Sequence, residues 1–169
     1  MDTAFFPPRP LRDVRGEILA LDLVRAYTAR DWAAGKDLVA ELDSAMRALT
    51  DPTGGLPLHT AAQNALAGLF EDELVALDVP SHDPASRIPT ALLTAETDLL
   101  LTGMTTAPEI RDALAAFAAG DFAAMVSVPT TSWFVVVGLA AAAAGRVRHG
   151  SADAYLTALD LRRTVSAAL

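Results

Sequence analysis

Glu96 is the residue whose neighbours fit it least. At about 100° per residue along a helix, it falls among Leu92, Leu99 and Leu100, with Gly103 one turn on. A carboxylate in an apolar stripe must be paired, hold a proton, or open onto a cavity. In a pocket, Glu96 would serve as a general acid or base, because burial moves a carboxyl group toward neutral pH. The structural alternative is an ion pair with an arginine. Arg25, which projects beside Val14, Ile18 and Leu21, is the candidate for a buried Arg25–Glu96 pair that only holds two helices in register.

A second group follows Pro129. If a helix begins there, the free amides and hydroxyls of Thr130, Thr131 and Ser132 point inward and could orient a carbonyl or an anion; ordinary capping beside a proline is the plainer reading. Tyr27 and Trp133 could wall a site for a flat ligand or, with Trp32, fill the core. Thr94, Asp98 and Thr102 form an i, i+4 stripe that reads as a solvated face.

The remaining polar groups carry less. Ser81, His82, Asp83 and Arg87 stand close together in a proline-containing loop, but sequence neighbours rarely acquire triad geometry. His59 and Gln63 lie one turn apart near Phe70, and three widely separated histidines make no metal centre. Without cysteine there is no disulfide, thiolate nucleophile or cysteine-ligated metal. No phosphate loop, zinc-protease pair or di-iron spacing is present, so no cofactor or metal is expected.

The elements that must position these residues are helices. Apolar residues make up 52% of the chain, and 35 of its 169 residues are alanine, the best helix former and one with no side-chain entropy to lose. No segment alternates as a strand should. Periodicity predicts helices over 13–29, 32–49, 57–78 and 90–102. Leu38, Leu42, Ala45, Met46 and Leu49 share one side of the second; Leu58, Ala62, Ala65, Leu69 and Leu77 point inward from the third. Thr106, Pro108 and Glu109 suggest a capping box for a fifth helix, and Gly120 and Asp121 lead into a short sixth. Residues 133–148 form the most apolar helix, placed at the centre, with Arg146, Arg148 and His149 at its carboxyl end and Gly150 after it. Ser151 caps a last helix over 151–168. The expectation is all-α: one domain, 1–169, a bundle of six to eight helices around an apolar central one. Residues 1–12 are an extended proline-containing segment, and the loop 78–89 is a candidate lid.

Two stretches match at a spacing of 90 residues. Ala26, Tyr27, Ala29, Asp31, Trp32, Ala33 and Ala34 parallel Ala116, Phe117, Ala119, Asp121, Phe122, Ala123 and Ala124. Each reads as helix, tight turn, aromatic, helix, and resembles the hairpin turn of tetratricopeptide repeats. The spacing is not the roughly 34 residues of such arrays, so two similar αα-hairpins are expected rather than a repeat array.

A net charge of −8 opposes phosphate neutralisation, so nucleic acid is not an expected partner. The amino terminus has no secretory pattern, and the uncharged run 122–145 is interrupted by Pro129 to Ser132, leaving too short a stretch for a membrane span. A cytoplasmic protein follows. So apolar a chain should also bury helix face in a homodimer or larger assembly, through the alanine-rich last two helices. Two functional classes fit. One is a helical protein with a pocket for an apolar small molecule, extended to cofactor-free proton transfer by Glu96 in a dehydration, isomerisation or cyclisation. The other is an acidic interaction or inhibitor module, with Glu71, Asp72 and Glu73 clustered on one helix. An enclosed cavity containing Glu96 favours the first; a filled core with an exposed acidic patch favours the second.

Overall fold

The computed structural model describes residues 11–47, 57–78 and 90–168. Among them are eight helices and no strand: α1 (Leu11–Thr28), α2 (Trp32–Arg47), α3 (Leu58–Asp78), α4 (Thr90–Leu101), α5 (Pro108–Ala118), α6 (Phe122–Val126), α7 (Thr130–His149) and α8 (Ala152–Ala168). The expected helices are all present. α1 starts two residues before the expected boundary, and α7 starts three before it. The loop carrying His82 and Asp83 lies outside the described residues.

α7 is the axis of the bundle and packs against each of the other seven described helices. Its composition explains this. Val136, Val137, Leu139 and Ala140 to Ala144 are fully or almost fully buried, so apolar atoms face neighbours on every side. The small alanines let those neighbours approach closely. Around it, α1 and α3 form another close pair, in which a Cβ on Gly16 would come within 2.7 Å of the Ala62 amide nitrogen. Phe70 of α3 meets Phe117 of α5 at a ring separation of 5.9 Å. No helix among the described residues is long and apolar enough to cross a membrane.

The two matched stretches adopt one turn. In the first, Asp31 N–H donates to the Ala26 carbonyl (2.8 Å) and Arg30 N–H to Tyr27 (3.0 Å); in the second, Asp121 donates to Ala116 (2.8 Å) and Gly120 to Phe117 (2.9 Å). Each aspartate then caps the next helix, accepting from Ala34 N–H and Ala124 N–H at 3.0 Å. The turn needs a left-handed residue: Gly120 supplies it at φ 84°, and Arg30 adopts it at φ 59°, where its guanidinium donates to the Thr102 carbonyl. Ser151 caps α8 through Ala154 N–H (3.1 Å), and Gly150 closes α7 at φ 79°, both as expected.

Three local expectations fail. α5 begins after Ala107, which makes no side-chain cap, so there is no Thr106 capping box; the Thr106 hydroxyl is buried without a partner. Arg25 is exposed rather than buried, and its Nε donates to Asp160 of α8 at 2.7 Å, because α8 covers the side of α1 from which it projects. α4 presents Leu93, Thr97, Leu100 and Leu101 inward, leaving Leu92 and Leu99 exposed. Thr97 is tolerated inside because its hydroxyl returns to the Leu93 and Thr94 carbonyls of its own helix.

Candidate functional site

Rotated this way, α4 sets Glu96 at the flank of its inward face. Its Oε2 accepts from Arg146 Nε of α7 at 2.7 Å, and Arg146 also donates through Nη1 to the Thr28 carbonyl at the end of α1 (2.9 Å). The side chains are 28% and 12% exposed. Glu96 therefore has an arginine partner, as the structural reading required, but Arg146 rather than Arg25. The triangle joins α1, α4 and α7. Glu96→Gln should lower stability by about 1–2 kcal/mol, since the arginine keeps one acceptor and partial access to water; denaturant melts measure it, and an unchanged midpoint would leave the pair without structural weight.

The other residues expected to join Glu96 do not meet it. Ser132 and Trp133 stand in the first turn of α7 and are half-buried. Ser132 lies fourteen residues before Arg146, about 21 Å along the helix at 1.5 Å per residue. Thr130 and Thr131 occupy the same first turn, and their side chains fall outside the described part of the structure. Trp133 packs edge-on against Phe134 at 5.4 Å. Tyr27 is 2% exposed and held between α2 and α7: a Cβ on Gly35 or Gly138 would come within 2.6 or 2.8 Å of its ring. That packing places Tyr27 in the core, and burial raises its phenol pKa above the ordinary value. Thr130 to Trp133 thus share the first turn of α7, Tyr27 packs at its middle against Gly138, and Glu96 pairs near its end with Arg146.

Two arrangements were not foreseen. The first is built on Glu73, which the run Glu71–Asp72–Glu73 suggested was solvated and which is 1% exposed. Arg148 Nη1 lies 3.2 Å from its Oε2, His149 Nε2 3.6 Å away, and Arg162 Nη1 3.9 Å from Oε1. The His149 ring stacks on Tyr155 at 4.9 Å. The buried Tyr155 hydroxyl faces Glu73 without a hydrogen bond of good geometry, and burial, reinforced by the Glu73 charge, raises its pKa. Arg148 also donates to the Asp72 carbonyl at 2.7 Å. The cluster ties the carboxyl end of α7 and the middle of α8 to α3. A signal existed, because Glu73 stands seven residues after Leu66 and three after Phe70, on the buried stripe of α3.

The second arrangement adjoins this cluster. α1, α3 and α8 enclose an open groove of about 670 Å³, within the roughly 300–1,000 Å³ of ligand sites. Its walls are Ala20 and Leu21 of α1, Ala65, Gly68 and Leu69 of α3, and Leu161 and Val165 of α8; Glu17, Asp72, Arg162 and Ser166 stand around them. Leu161 is 67% exposed and Val165 52%. Asp72 and Arg162 meet at 3.6 Å, so the Glu73 cluster anchors one end of the groove. Two smaller hollows, about 370 Å³ between α1 and α2 and about 290 Å³ beside α5 and α6, are mostly acidic or alanine-lined. Glu96 lines none of the three. No protein-family model, curated protein or solved structure matches this chain.

Proposed function

We propose that the protein is an acidic helical binding module whose recognition surface is the α1/α3/α8 groove, which receives the apolar side of another protein. The observation that carries this is Gly68. A glycine inside a helix costs roughly 0.5–1 kcal/mol relative to alanine, so its presence needs a reason. For Gly16, Gly35, Gly138 and Gly145 the reason is packing, because an added Cβ would collide with α3, with Tyr27 on two sides, or with Tyr155. A Cβ on Gly68 would meet nothing within 4 Å. Among the described residues nothing requires the missing side chain; an occupant of the groove would.

The reading draws on no catalytic group. The Glu96 carboxylate already accepts from Arg146, and the groove offers Leu, Ala and Val walls rather than a general base in an enclosed site. Gly68→Leu tests the proposal cleanly, since it fills the groove while improving helix propensity. Stability should be unchanged or higher by about 0.5–1 kcal/mol. The uncharged apolar fluorophore N-phenyl-1-naphthylamine should brighten on wild-type protein and lose most of that enhancement on the variant. Equal enhancement on both would remove the groove as the apolar site.

A further inference from the structure

We infer that the protein received by the groove is a second copy of this chain, related to the first by a twofold axis, an inference that rests on the groove being the recognition surface. The face carries both halves of such a contact. Leu161 and Val165, 67% and 52% exposed, stand four residues apart on α8 as an apolar ridge. Beside them is a recess lined by Ala65 and by Gly68, where an added Cβ would meet nothing within 4 Å. A twofold dimer uses one patch on both copies, so it needs a ridge and a recess on the same surface. Leu161 of each copy then enters the recess of the other, twice per dimer.

Charge narrows the choice to this face. Two copies of a chain with net charge −8 repel one another wherever their acids are uncompensated. α8 carries two acids and two arginines, and α1 three of each. The two helices run antiparallel, with Arg163 on Asp22 and Arg25 on Asp160, each at 2.7 Å. Across the groove Arg162 meets Asp72 at 3.6 Å, and Glu17 also has a partner. The rim charges are thus engaged within the chain, and an occupant needs none of its own to offset them. Among the described residues the other exposed apolar pair is Leu92 and Leu99 of α4, a helix that adds the exposed Asp98 and carries no basic residue. The hollow beside α5 and α6 is bordered by Glu109 and Asp112 and by no cation. A like-charged copy is turned away from both.

With so few apolar groups the dimer is weak, and dilute protein leaves the groove open to the fluorophore used above. Sedimentation velocity of the full chain from about 5 to 500 μM should show the mean mass rising toward twice that of one chain. Leu161→Asp removes the ridge and Gly68→Leu fills the recess. Each should weaken association at least about tenfold, with circular dichroism showing both variants folded. Each variant alone loses both contacts of the dimer, whereas a mixed dimer keeps one: the Leu161 of the Gly68→Leu chain in the open recess of the Leu161→Asp chain. The equimolar mixture should therefore associate more tightly than either variant alone and less tightly than wild type. A wild type that stays monomeric to about 500 μM while still brightening the fluorophore would overturn this inference and leave the groove standing for a different protein. A dimer untouched by both substitutions, or no recovery on mixing, would overturn the twofold contact. A monomer recruited to phosphatidylcholine vesicles would overturn it and assign the surface to lipid. A monomer that brightens the fluorophore no more than Gly68→Leu does would overturn both readings.

Discussion

Gly145→Ala is expected to destabilise the protein by about 2 kcal/mol net, even though alanine is the better helix former. The ring of Tyr155 lies directly on the Gly145 Cα, where an added Cβ would overlap the ring carbons. Tyr155 is 1% exposed, and its ring is stacked on His149. A flexible side-chain end could yield to a methyl group; an enclosed ring must instead displace α8 from α7. Overpacking of this kind costs about 1–3 kcal/mol and sometimes more, which exceeds the roughly 1 kcal/mol that alanine contributes over glycine. In a Tyr155→Leu background the clash is absent, and the same substitution should be neutral or stabilising. The double-mutant cycle should thus show a coupling of about 3 kcal/mol. Additive losses would mean that the two positions are not in contact. Gly68→Ala, the identical chemical change on α3, should stabilise, so the two glycines separate packing from function.

Alkaline pH should unfold the protein through its two phenols, both of them buried. Burial raises the pKa of Tyr27 and of Tyr155 well above the ordinary 10.0. A folded-state pKa above the unfolded value means that the native protein keeps a proton that the unfolded chain releases. The associated stability is therefore intact below about pH 10 and is lost as the pH rises toward the folded-state values. Each pKa unit is worth about 1.4 kcal/mol, so at pH 11 the two tyrosines together should remove about 3 kcal/mol. Tyr155→Phe should halve the slope above pH 10. At pH 7 it should leave stability unchanged or raised, because it deletes a buried hydroxyl without a good partner. Denaturant melts from pH 8 to 11 give both numbers; a slope identical in wild type and Tyr155→Phe would show that this phenol ionises without unfolding.

The helices were legible in the sequence because their boundaries rest on local chemistry. Asp121, Ser151, Gly120 and Gly150 act within their own turn, so spacing alone marks these helix ends and the paired hairpins, whereas the Thr106 capping box that spacing also suggests does not form. The central position of α7 was legible for a related reason: a helix apolar on every side has no face to offer water.

The rotation of the other helices was harder to read. α4 carries Leu92, Leu93, Leu99, Leu100 and Leu101, so two overlapping stripes compete and periodicity cannot choose between them. The choice was made by the neighbours, which bury Leu93 and Leu100 and leave Leu92 and Leu99 in solvent. The sequence pairs Arg25 with Glu96, whereas each meets a residue of another helix, Asp160 of α8 and Arg146 of α7, since ion pairing depends on which helices come to lie side by side. Three consecutive acids read as one charged patch, yet 100° per residue turns Glu73 inward while Glu71 and Asp72 stay exposed. Of the two helices expected to offer an assembly face, α7 spends its alanines inside the chain, whereas α8 exposes Leu161 and Val165. The groove itself was beyond sequence reading, because it is made by three helices distant in the chain, although Gly68 was a visible irregularity on an otherwise good helix.

Amide hydrogen exchange of the full chain, with and without N-phenyl-1-naphthylamine at saturation, tests the groove most directly. Binding there should slow exchange in three separate segments, 17–24 of α1, 65–73 of α3 and 159–166 of α8, leaving α2 and α5 unchanged, and Gly68→Leu should erase all three footprints. Protection confined to the exposed leucines of α4, or none in any of the three segments with the fluorophore bound, would contradict the account.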